Sequence, residues 1–93
     1  MRNNADLQHD INRMNNVEKI INNPEYKTAF LTIKAHILNE FERLDYSKVD
    51  EILEAKRTLK NLNRLELHLN RVLTDGKIAE KSLAQKLKSI VGL

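Results

Sequence analysis

The chain has 93 residues, with no cysteine, no tryptophan, two glycines, one proline, 41% hydrophobic and 31% charged residues, and a formal net charge of +3. That profile suits long helices, excludes disulfides and thiolate metal sites, and leaves a core that is small for its surface, so help from a second copy or a partner is expected. No apolar run is long enough to span a bilayer, and Met1-Arg2-Asn3-Asn4 leads into a polar segment without the apolar centre of a secretory signal, so a cytoplasmic site of synthesis is expected.

The charge is unevenly placed. Residues 1–45 hold six basic and seven acidic side chains, whereas residues 46–93 hold ten and six, so an electrostatic partner is expected at the C-terminal half.

In chain order, Leu7, Ile11, Met14, Val17 and Ile21 recur in steps of three and four, which predicts a helix over about residues 5–22. Asn23-Pro24-Glu25 then ends one helix and opens the next: Asn accepts from free amides, Pro fits the first helical position, and Glu suits the positive helix end. The second helix, about residues 24–44, carries Tyr26, Phe30, Ile33, Ile37, Phe41 and Leu44 on one stripe, widened by Leu31 and Leu38. Asp45-Tyr46-Ser47 is a short connection, and Ser47 with Asp50 three positions on resembles a capping box.

The third helix, about residues 48–74, runs through Val49, Ile52, Ala55, Leu59, Leu62, Leu65, Leu69, Val72 and Leu73, a near-heptad stripe. Asp75-Gly76 predicts a break or bend, although Ala79, Leu83, Leu87 and Ile90 keep the same phase. A cationic amphipathic helix follows over about residues 77–91. No period of repeat length recurs, so a solenoid is not expected.

The chemistry offered by these residues is thin. Serine occurs at 47, 82 and 89 and histidine at 9, 36 and 68, with no spacing that pairs a nucleophile and its base, and Gly76 and Gly92 stand alone rather than in a phosphate loop. No enzyme activity and no cofactor are expected. His36 and Glu40 are spaced to share an ion, but a metal would need further ligands such as Glu66 or His68, and a plain hydrogen bond or solvated face is the favoured reading. Glu51 and Glu54 near a helix start are explained as dipole partners.

Lys56, Arg57, Lys60, Arg64 and Arg71 could form a basic ridge for phosphates, but aromatics are only 4% and Glu54, Glu66 and Asp75 dilute it. A solvated face is therefore favoured over a nucleic-acid groove. Ile78, Leu83, Leu87, Ile90 and Val91 opposite lysines resemble an interfacial anchor, yet their phase continues that of the preceding helix and favours docking on protein over a membrane surface.

Residues 22–79 resemble a group of small helical proteins of tailed bacteriophages. The features are Asn23-Pro24-Glu25-Tyr26-Lys27-Thr28-Ala29-Phe30 opening a helix, Leu38-Asn39-Glu40-Phe41 closing it, and Leu62 to Leu73 followed by Thr74-Asp75-Gly76-Lys77-Ile78-Ala79. They are helix-boundary and core-spacing features, and the tryptophan associated with the region around Phe41 is absent here. The resemblance implies a phage-encoded helical hairpin, a virion or assembly accessory made in the host cytoplasm, with no catalytic residue to carry over.

The expected fold is thus all-α and a single domain: an antiparallel hairpin with a long third helix, an additional N-terminal helix and an amphipathic C-terminal one. Phe30, Ile33, Ile37, Phe41, Ile52, Leu59, Leu62, Leu65 and Leu69 should form the core. The expected function is non-enzymatic, with a protein partner or a homo-oligomer as the occupant of a surface that includes Leu7, Ile11, Met14, Leu83, Leu87 and Ile90. Nucleic acid bound by the basic ridge is the alternative, and no small-molecule substrate is expected.

Overall fold

A computed structural model describes residues 2–92. Among them there is no strand, and three helices follow one another: α1 (Asn4–Ile21), α2 (Pro24–Arg43) and α3 (Val49–Ile90).

Each start and stop has a local cause. Asn3 Oδ1 accepts from the Asp6 amide at 2.8 Å and caps α1. At α2 the cap is Asn23, whose Oδ1 accepts from the amides of Glu25 (2.9 Å) and Tyr26 (3.1 Å), with Pro24 in the first turn where its missing N–H costs nothing. α2 ends as Leu44 turns to extended backbone, its amide still donating to the Glu40 carbonyl at 3.1 Å.

The expected capping box at Ser47 and Asp50 is displaced. The turn closes through the Lys48 amide on the Asp45 carbonyl, and the Lys48 carbonyl accepts from Ile52, so the helix begins after Lys48 with Asp50 and Glu51 in its first turn. At the far end Gly92 takes a positive φ of 75°, the usual glycine stop.

The expected break at Asp75-Gly76 does not occur. α3 continues through both residues for 42 in all, so the predicted third and fourth helices are one.

The chain divides into two compact units, Met1–Ile21 with His68–Leu93, and Asn22–Leu67. In the first unit Leu7, Met14 and Val17 of α1 are buried together with Val72, Gly76 and Ala79 of α3. With Asp10 also buried between Leu7 and Met14, the positions recur in steps of three and four on each helix, the spacing by which one helix ridge sits in the groove of another. Asn4 lies beside Lys86 and Met14 beside Gly76, so the two helical lengths run in opposite directions. Gly76 explains its own presence here. A β-carbon placed on it would overlap Met14 Cβ and lie 2.7 Å from Met14 Cγ and Sδ. The residue that signals a helix end in the sequence is therefore the notch that admits α1.

In the second unit Ile37 is the buried side chain of α2. The Lys34 ammonium lies 3.9 Å from a Glu66 carboxylate oxygen, and a groove is lined by Ile37, Glu40, Arg43 and Leu44 from α2 with Glu51, Glu54, Ala55 and Thr58 from α3. The expected core is only partly sheltered here. Phe30, Ile52, Leu59, Leu62 and Leu69 are half-buried, whereas Ile33, Phe41 and Leu65 are exposed. Leu69 itself belongs to the first unit. Two helices cover only the strip along which they meet, and a stripe wider than about 100° leaves its flanks open.

Candidate interaction surface

Large apolar side chains left in solvent are the most prominent surface feature. On α2 they are Leu31, Ile33, Leu38 and Phe41, with Leu31 65% exposed. On α3 they include Val49, Leu53, Leu65 and Leu67 in the second unit, and Ile78, Leu87 and Ile90 in the first. Isolated exposed leucines are ordinary on protein surfaces, but contiguous apolar patches mark contact sites.

The six expected interface residues separate into two groups. Leu7 and Met14 are each 3% exposed, closed against the chain's own α3. Ile11 and Leu83 are half-buried. Leu87 and Ile90, 62% and 78% exposed, remain open. The fold thus brings α1 onto α3 and leaves the tail of α3 to face solvent.

The missed position on α1 is Asp10. Leu7, Asp10, Met14 and Val17 share one stripe, and Asp10 is buried within it at 7% exposure. It is tolerated there because the Arg2 guanidinium reaches it as an ion pair. The hydrogen bond from Arg2 holds the Asp10 carboxyl below its ordinary range, against the opposing effect of burial. The spacing from Leu7 to Met14 through residue 10 carried this signal, since a charge in core phase needs a partner.

A groove at the same end of this unit is lined by Arg2, Asn4, Leu7, Ile78, Ala79 and Lys86, among others. Its two cations are already engaged: Arg2 with Asp10, and Lys86 Nζ with the Arg2 carbonyl (3.3 Å) and Asn4 Oδ1 (2.9 Å).

The basic residues Lys56, Arg57, Lys60, Arg64 and Arg71 are all exposed. Lys56, Lys60 and Arg64 follow at steps of four and so share one side of α3, with Arg71 seven residues on. Arg57 leans toward Glu54 at 3.8 Å, and exposed Leu53 and Leu67 interleave with the cations.

His36 Nε2 and Glu40 Oε1 approach to 3.1 Å on the open surface of α2, while Glu66 is turned to Lys34. Among the described residues no three His, Cys, Asp or Glu side chains converge as metal ligands. Among the same residues no helix is long and apolar enough to cross a membrane.

No protein-family model, curated protein or solved structure matches the chain.

Proposed function

We propose that this chain is a non-enzymatic helical interaction protein that packs against further copies of itself or a protein partner, serving a phage virion or its assembly. The observation that carries this reading is the surplus of exposed leucine, isoleucine, valine and phenylalanine on α2 and α3. Each such side chain gains about 1.5–3 kcal/mol when fully buried, so a surface collecting several of them favours association. α2 and the first half of α3 are read as an antiparallel hairpin, a direction supported by Lys34 beside Glu66 and by Leu44 sharing a groove with Glu51. Such a hairpin offers one more face than it covers, and helix bundles complete themselves by adding helices to that face.

The test is sedimentation equilibrium over a wide dilution series. Concentration-dependent mass is expected; a well-ordered monomer throughout, with no partner retained from its native source, would count decisively against the reading.

The exposed ridge of Lys56, Lys60 and Arg64 favours a second reading, nucleic-acid binding. Under that reading affinity for DNA or RNA falls steeply with salt, and replacing Lys56, Arg57, Lys60 and Arg64 by Ala flattens the salt slope. Binding left unchanged by those four replacements removes the ridge from consideration.

A further inference from the structure

We infer that the outer stripe of α2, formed by Lys27, Leu31, Ala35, Leu38 and Glu42, is the seam along which two copies of this chain pair, α2 against α2 and antiparallel about a two-fold axis. The inference rests on the self-association reading above and names its surface.

The five residues follow in steps of four, four, three and four, which places them on one side of a helix. All five are exposed. None of them lines the groove through Ile37, Glu40, Arg43 and Leu44, so the stripe is clear of that surface of the unit.

What identifies the occupant as a second copy is the symmetry of the stripe about its own midpoint. Leu31 and Leu38 are equidistant from a point between residues 34 and 35, and so are Lys27 and Glu42. Two-fold pairing about that point sets Leu31 against Leu38 of the other copy and Lys27 against its Glu42, twice over. A two-fold interface requires such self-complementarity, in which residue i meets j and j meets i.

Ala35, the small residue beside the axis, lets the backbones approach. Lys34, also beside it, would repel its counterpart, but its ammonium is drawn aside to Glu66 at 3.9 Å. Lys27 and Glu42 take part in no ion pair among the described residues. Parallel pairing in register would instead oppose Lys27 to Lys27 and Glu42 to Glu42, so the end charges select the antiparallel arrangement.

The test uses the full chain with Lys27→Glu, Glu42→Lys and the double variant, each followed by sedimentation equilibrium and by helical circular dichroism. Lys27→Glu adds an acid near the N-terminus of α2 and Glu42→Lys a base near its C-terminus, both favourable to the helix dipole, so neither change weakens the helix itself. Each single reversal should weaken association on the order of tenfold, and the double reversal should restore it.

An independent readout comes from the chain's lack of cysteine. Ala35→Cys should cross-link to its counterpart with a short bis-maleimide, each of whose rings adds one thiol, whereas Ala29→Cys, exposed on the far side of α2, should not. Undiminished association in both single reversals, with Ala35→Cys cross-linking no better than Ala29→Cys, overturns the seam while leaving self-association standing. A double variant weaker than either single overturns the antiparallel register. A wild-type monomer at every concentration overturns the seam and self-association, and the functional reading falls with them only if no protein partner is retained from the native source either.

Discussion

Gly76 lacks a β-carbon, and Met14 occupies the space where one would be. Because the overlap involves Met14 Cβ, which is fixed to the backbone, rotating the thioether away cannot relieve it and α1 itself must shift. Overpacking of this kind costs about 1–3 kcal/mol, and the gain in helix propensity from glycine to alanine is about 1 kcal/mol. Gly76→Ala should therefore lower the thermal midpoint, and Gly76→Val should lower it further. A midpoint raised by the alanine, as propensity alone demands, would show that the close approach is not maintained. Asp10 makes the second residue-scale prediction. Its folded-state pKa is lowered by Arg2, so the ion pair stabilises fully above the ordinary carboxylate pKa of 3.8, and that stability is lost as pH falls through the lowered value. Melts taken from neutral pH into that acid range should show a loss in the wild type that Asp10→Asn lacks; parallel curves would refute the linkage.

At the scale of the element, α2 depends on a cap that is local and therefore readable from Asn23-Pro24-Glu25 alone. Asn23→Ala leaves the Glu25 and Tyr26 amides without their acceptor and should cost about 1 kcal/mol, measured by chemical denaturation. Asn23→Ser or Asn23→Asp should retain most of that stability. α3 shows the opposite case. Asp75-Gly76 is a turn signal, yet the apolar phase runs through it unbroken, and burial of Val72, Gly76 and Ala79 against α1 outweighs the modest intrinsic penalty of one glycine. Ser47 and Asp50 failed as a capping box for a similar reason. Lys48, not Ser47, occupies the cap position, because the turn closes at Asp45 and delays the helix start. Helix existence was legible from periodicity, while the ends of α3 followed from turn closure and packing.

For the molecule as a whole, the best-buried side chains lie in the unit formed by α1 and the far half of α3, whereas the unit holding α2 keeps several large apolar residues in solvent. Local stability follows burial. In native-state hydrogen exchange the amides around Val72 to Ala79 should exchange more slowly than those of α2, and protection of α2 should rise with protein concentration as its open surface is covered. Equal protection along α2 and α3 at all concentrations would contradict the uneven burial as well as the association built on it.

The sequence by itself determined that the chain is helical, where α2 begins, and which residues share each stripe, because capping and the 3.6-residue period act over a few neighbours. It also carried the self-matching order of Lys27, Leu31, Leu38 and Glu42. Only the tertiary structure decided that Leu7 and Met14 are spent inside the chain while Leu31, Leu38, Leu87 and Ile90 stay open, and that Gly76 is a packing notch rather than a break. Periodicity gives the direction in which a side chain points; what it meets there is fixed by contacts between residues as far apart as Met14 and Gly76, and no local pattern encodes that meeting.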